Sequence, residues 1–133
     1  MKLLIVDDEK LTREGILESL PLEKLGIHHT FMADDGVHGL EIALKEKPDL
    51  ILTDVRMPRM SGVEMAEEIL KALPNAIILF MSAYSDKEYL KAAIKLKAVS
   101  YVDKPLDMNE LTEALAEGIH QYRSMYTSLN AQW

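Results

Sequence analysis

Five short apolar runs, each followed by a stretch of helical periodicity, constrain this 133-residue chain more than any other feature. The runs lie at about Lys2–Val6, His29–Met32, Leu50–Thr53, Ala76–Met81 and Val99–Val102. Each is too short for a lone helix and reads as a buried strand. Helices are predicted at about Leu11–Leu20, Gly36–Glu46, Gly62–Leu73, Asp86–Leu96 and Met108–Arg123. Strands that alternate with helices through short links imply right-handed crossovers and a parallel sheet. The predicted class is therefore α/β, a doubly wound sheet of five parallel strands in the order 2-1-3-4-5.

Local signals punctuate this pattern. Ser61 with Glu64, and Ser85 with Glu88, have capping-box spacing. Asp107 with Glu110 is a similar acidic start, and Asp35 is placed to cap the second helix. Pro48 and Pro74 follow helical segments and push the preceding residue out of the α region. Beyond Arg123 the periodicity fades, and the segment to Trp133 reads as the start of a linker. The expected organisation is one domain over residues 1–122 and a linker over 123–133.

Composition bounds the functional classes. Hydrophobic residues make up 48% and charged residues 28%, ordinary proportions for a globular domain with a single core. No apolar run approaches the roughly 20 residues that span a bilayer. Met1-Lys2 leads directly into the first run, so no signal peptide is expected. The chain has no Cys, which removes disulfides and thiolate metal sites and fits a reducing, cytoplasmic setting. A net charge of −7 argues against this domain holding nucleic acid by its own surface, and no membrane partner is expected.

The chemistry gathers at strand ends, where open α/β sheets place their sites. The first run ends on Asp7-Asp8-Glu9, the third on Asp54 before a break at Met57-Pro58, and the fifth near Lys104-Pro105. Three acids and a lysine at neighbouring strand ends suit a divalent cation and a phosphoryl group. Hard cations such as Mg²⁺ take oxygen ligands and keep several waters. One of Asp7 and Asp8 can bind directly while the other holds a coordinated water. Each residue alone has a plainer reading: solvated loop acids for Asp7 and Asp8, a turn cap for Asp54, a surface lysine for Lys104, and a turn hydroxyl for Ser82. Clustered carboxylates, however, repel unless a cation neutralises them or one takes a proton. Carboxylates also form covalent phosphoryl intermediates, which makes Asp54 a candidate nucleophile.

The motifs Leu-Ile-Val-Asp7-Asp8-Glu9, Thr53-Asp54-Val-Arg-Met-Pro58, Met81-Ser82-Ala83 and Tyr101-Val-Asp-Lys104-Pro105 occur in the order of a known pattern. The chain resembles the receiver domain of a bacterial two-component response regulator over about residues 2–122, with a flavodoxin-like fold. The resemblance implies that Asp54 accepts a phosphoryl group from a phosphohistidine of a sensor histidine kinase. It implies Mg²⁺ on Asp8, Asp54 and the Arg56 backbone carbonyl, with Asp7 acting through water. Lys104 would hold the phosphoryl group, and Ser82 and Tyr101 would be paired switch residues. It also implies a cis peptide between Lys104 and Pro105. The activity expected is Mg²⁺-dependent self-phosphorylation and autodephosphorylation, without multiple turnover as an enzyme.

The longer connection Leu20–Ile27, with Arg56-Met57-Pro58 and Ala93-Ile94-Lys95-Leu96, is similar to receivers of AraC-type transcriptional regulators. That similarity implies a C-terminal helix-turn-helix effector that binds DNA. Receivers in general commonly carry Gly after the fourth predicted helix, where this chain has Lys97. Arg56 and Tyr84 stand two residues beyond Asp54 and Ser82, where they are expected to flank the phosphoryl group and obstruct water. Lys87, Lys91 and Lys95 recur at helical spacing, as do Glu110, Glu113 and Glu117. A phosphorylation-dependent homodimer is expected to set one row against the partner's other row. His28, His29, His38 and His120 have no ligand spacing, and the eight Met residues read as core fillers.

Two rival readings differ in chemistry. A phosphohydrolase of the haloacid dehalogenase type also uses an Asp nucleophile, but needs a second Asp where Arg56 stands. A pure binding module, such as a degenerate receiver, forms no acyl phosphate, and the complete acid set argues against it.

Overall fold

Successive residues of a strand face opposite sides of a sheet, and in this chain both sides are apolar. The computed structural model describes residues 1–93 and 99–131. Its strands are β1 (Lys2–Val6), β2 (His29–Ala33), β3 (Leu50–Asp54), β4 (Ile77–Ser82) and β5 (Val99–Asp103). All pairings are parallel, in the order β2-β1-β3-β4-β5, as the alternation predicts. Every residue of β3 and β4 is buried, which explains why these runs are continuously apolar rather than alternating.

The helices are α1 (Lys10–Ser19), α2 (Leu22–Leu25), α3 (Gly36–Glu46), α4 (Gly62–Ala72), α5 (Lys87–Ala93) and α6 (Met108–Ala131). Leu3, Ile5, Leu50, Leu52 and Leu79 face Ile16 of α1 and Leu111, Leu115 and Ile119 of α6. Leu4, Val6, Ile51, Ile78 and Phe80 face Ala43 of α3, Met65 and Ile69 of α4, and Leu90 of α5. Each fully buried Leu or Ile contributes about 1.5–3 kcal/mol, so the two apolar layers supply most of the driving force.

Several boundaries differ from the sequence reading. The connection after α1 contains the short helix α2, which ends at Gly26 in the left-handed region at φ 77°. Ser61 and Glu64 form the expected capping box, and Asp35 and Asp107 cap as expected. Ser85 does not cap, because a 3₁₀ turn over Tyr84–Asp86 carries the chain off β4 and takes Ser85 into it. Helix α6 continues past Arg123 to Ala131. Polar composition is not a stop signal, no Gly or Pro follows Gly118, and Tyr122 and Met125 still pack on the apolar layer. Ile94, Lys95, Leu96 and Lys97 lie outside the described residues, as does the end of the tail at Trp133.

Strand order reverses between β1 and β3, whose ends lie side by side with Val6 opposite Thr53. That reversal opens a crevice at the carboxyl edge of the sheet. The β3–α4 loop folds back tightly beside it. The Gly62 amide donates to the Val55 carbonyl at 2.8 Å, and a Cβ on Gly62 would sit 2.0 Å from the Asp54 carbonyl oxygen. Gly62→Ala is therefore expected to cost about 1–3 kcal/mol or more in urea unfolding. Gly15→Ala is the control: no atom lies within 4 Å of its added Cβ, and it should stabilise α1 by about 0.5–1 kcal/mol. Equal effects of the two substitutions would refute the packing argument.

Candidate functional site

The site assembles where β1, β3 and β5 end. The Asp7 amide donates to the Ala33 carbonyl at 3.1 Å, so the sheet still holds the residue after β1. Asp7 is only 1% exposed. Its Oδ1 accepts from the Glu9 amide at 2.8 Å, and Oδ2 has no partner among the described residues. Arg13 Nη1 donates to the Asp7 carbonyl at 2.6 Å and fixes the loop from the α1 side. Asp8 is exposed. Asp54 ends β3 as a buried residue, with Oδ1 accepting from the Val55 amide at 2.8 Å.

Lys104 reaches the cluster from β5. Its amide donates to the Ser82 carbonyl at 2.9 Å, and its Nζ lies 3.0 Å from Asp54 Oδ2. The Lys104–Pro105 peptide is cis, as the resemblance implied. Burial alone pushes the ammonium's pKa down, but the Asp54 hydrogen bond and charge, with Asp7 and Glu9, outweigh it and raise the value. Asp7 is shifted upward chiefly by burial, with the charges of Asp54 and Asp8 adding to it against the Glu9 hydrogen bond.

Asp7, Asp8 and Asp54 each offer an oxygen within 4.8 Å of the others. A hard divalent cation fits this donor set. Three carboxylates converge, one is a buried oxygen with no hydrogen bond, and the single ammonium is already engaged by Asp54. This acidic cluster is of the kind that binds Mg²⁺.

The remaining predicted residues take their places around it. Ser82 is buried at the end of β4, its hydroxyl donating to the Ala83 carbonyl at 3.1 Å. Tyr101 is 41% exposed on β5, beside a shallow depression it shares with Lys87, Leu90 and Lys91. Arg56 has partners that the sequence did not suggest. Its Nε donates to Asp86 Oδ1 at 2.6 Å, and its guanidinium lies 5.1 Å over the Tyr89 ring. Tyr84 is 88% exposed, with the Lys87 ammonium 6.0 Å from its ring centre. Lys87 also pairs with Asp103 at 3.1 Å and Lys91 with Glu88 at 3.9 Å. The first two lysines of the expected row thus have acids within their own chain, and Lys95 lies outside the described residues.

Sequence reading passed over Asp86, Tyr89 and Arg13. Asp86 stands at a predicted helix start, and nothing in its local pattern points to a residue 30 positions earlier. Among the described residues, no helix is long and apolar enough to cross a membrane.

A doubly wound sheet whose switch point carries clustered acids and a lysine defines a receiver-like class of α/β protein. The chain belongs to the response regulator receiver domain family, which it matches over residues 3–116. An uncharacterised response regulatory protein of Staphylococcus epidermidis is 39% identical over 114 residues, covering 86% of this chain and 45% of the relative. The transcriptional regulatory protein HptR of Staphylococcus aureus is 36% identical over 110 residues, covering 83% and 43%. The chain thus spans less than half the length of these curated relatives. Among solved structures, a two-component transcriptional regulator AraC from Clostridium phytofermentans superposes with a TM-score of 0.89 at 49% identity, covering 93% of this chain and 96% of that one. The receiver domain of AraT, a response regulator from Geobacillus stearothermophilus, gives 0.88 at 32% identity, covering 94% and 97%. The chain is therefore a two-component receiver domain, a regulatory module similar to receivers of AraC-type regulators.

The folded pKa of Asp7 lies above its ordinary 3.8, so the folded state binds that proton more tightly than the unfolded chain does. Its stabilising effect is complete at low pH and lost as pH rises through the folded value. Above that value the buried, ionised side chain is a cost. Asp7→Asn should stabilise the metal-free domain at pH 7 by about 1–3 kcal/mol in thermal melts with chelator. Saturating Mg²⁺ should raise the melting temperature of the wild type and raise that of the variant much less. A variant less stable than wild type in chelator would contradict the desolvation argument.

Proposed function

We propose that Asp54 is the phospho-acceptor of a transcriptional response regulator, loaded by a sensor histidine kinase. The observation that carries this reading is the Lys104 ammonium 3.0 Å from the Asp54 carboxylate, beside the unpartnered oxygen of Asp7. In the reaction, an Asp54 carboxylate oxygen forms a bond to phosphorus as the bond from phosphorus to the donor imidazole nitrogen breaks. The imidazole leaves with that electron pair. Hydrolysis later returns the carboxylate and inorganic phosphate. Three equatorial oxygens carry the transferring charge, so placement and electrostatics matter more than acid–base chemistry.

Each residue has a part in this scheme. Lys104 exchanges its bond with Asp54 for one to a phosphoryl oxygen. Asp8, Asp54 and the Arg56 carbonyl would hold Mg²⁺, and Asp7 would assist through a bound water. Bound there, the ion would neutralise charge on the phosphoryl oxygens. Ser82 turns its hydroxyl from the Ala83 carbonyl to the phosphoryl group. The half-exposed Tyr101 then turns inward, a local charge event read by a two-state element. The receiver is taken as residues 1–122, with 123–133 beginning the link to a C-terminal helix-turn-helix domain that binds DNA. The net charge of −7 supports leaving DNA contact to that effector, and the setting is the cytoplasm.

Phosphoramidate or acetyl phosphate with Mg²⁺ should add the mass of one phosphate, in a hydroxylamine-sensitive form. Asp54→Asn should abolish the gain, and full labelling of that variant would refute the assignment.

We also propose that phosphorylation favours a homodimer through α5, β5 and α6. Glu110, Glu113 and Glu117 are exposed on α6 and face outward for a partner's lysines. Such surface pairs are worth about 1 kcal/mol or less each and set register more than affinity. Sedimentation equilibrium with beryllofluoride, a mimic of the aspartyl phosphate, should show a dimer. A monomer with and without it at high protein concentration would end the proposal.

A further inference from the structure

Asp86 is a carboxylate that the phosphoryl chemistry described above does not use. It is 4% exposed and closes the 3₁₀ turn that follows β4. Among the described residues its side chain has one partner, the Arg56 guanidinium at 2.6 Å. The exposure of the two side chains is lopsided, 65% for Arg56 against 6% for Asp86. The guanidinium also lies over Tyr89, whose hydroxyl is 3.2 Å from the Oγ of Ser61 at the start of α4. A bridge thus joins the loop that follows Asp54 to the turn that follows Ser82.

The burial decides which partner needs the other. Arg56 can exchange Asp86 for water. Asp86, left alone, would be an uncompensated buried charge, which is strongly unfavourable. Breaking the pair is therefore costly on the Asp86 side, and that cost keeps Arg56 at the turn. A phosphoryl group on Asp54 replaces the carboxylate's single negative charge with nearly two and adds three acceptor oxygens, two residues from Arg56. A guanidinium fork matches such oxygens well. Two anions would then compete for one cation.

We propose that Asp86 is a positioning residue that holds Arg56 off the phosphoryl group and so sets the lifetime of the acyl phosphate. The inference rests on the reading of Asp54 as phospho-acceptor. With Arg56 anchored, water reaches phosphorus: the water oxygen bonds to it as the bond to the Asp54 oxygen breaks, and Asp54 leaves as carboxylate. The water proton passes to solvent. With Asp86→Asn, Arg56 is released, clamps the phosphoryl oxygens and shields that side. The sequence-based expectation that Arg56 obstructs water would hold only in that released state.

The test is a double-mutant cycle on lifetime. Protein is labelled with phosphoramidate and Mg²⁺, the donor is removed, and decay is followed by intact mass. Asp86→Asn should lengthen the lifetime about three- to fivefold, the scale of one ion pair at a partly exposed site. Arg56→Ala should not lengthen it, and Asp86→Asn should add nothing in the Arg56→Ala background. Asp86→Glu keeps the charge and should stay near wild type. A merely structural role for Asp86 would act with or without Arg56. Equal lengthening in both backgrounds, no lengthening, or a Glu variant as slow as Asn would overturn the proposal. Failure of the wild type to take up hydroxylamine-sensitive phosphate would instead refute the phospho-acceptor reading, and this inference with it.

Discussion

The repulsion among three carboxylates at one sheet edge is the constraint that organises the rest of this structure. Asp7, Asp8 and Asp54 bring oxygens within 4.8 Å, and two of the residues are buried. Among the described residues one ammonium, that of Lys104, reaches Asp54. Burial, and after it the charges of Asp54 and Asp8, raise the pKa of Asp7, whose Oδ2 has no partner among the described residues. A fold that retains such a cluster gives up stability in its metal-free state. A divalent cation at this edge would relieve that excess of negative charge.

Holding the cluster requires a stiff frame, and the frame is the switch point of the sheet. β1 and β3 are neighbours with both faces covered, so the residues that follow Val6 and Thr53 have little freedom. The β3–α4 loop is held close by contact between Gly62 and the Asp54 carbonyl. Arg59 and Asp35, 2.8 Å apart, tie the same loop to the start of α3. The His38 amide, then Arg59, keep the Asp35 carboxyl below the ordinary carboxylate range.

The opposite flank of the loop is tied by Arg56 to Asp86. The two ties differ in kind. Asp35 is also a helix cap, with a backbone amide to satisfy it when Arg59 moves. Asp86 has no such second partner for its side chain among the described residues. The loop after Asp54 is therefore anchored more stringently toward β4 than toward β2. That is the side on which Ser82 lies.

The sequence by itself determined the fold and most of the site. The period of the apolar residues and the prolines and caps are local signals, so strands and helices were legible without coordinates; the strand order came from their alternation together with the acids at strand ends. The acids were legible because each stands where its own strand ends. Tertiary structure alone decided the pairing of Arg56 with Asp86 and of Lys87 with Asp103, the outward placement of Tyr101, and the continuation of α6 beyond Arg123. A salt bridge between residues 30 positions apart leaves no periodic trace. It depends on side-chain reach between two loops, and that distance exists only once the sheet has brought their strands together.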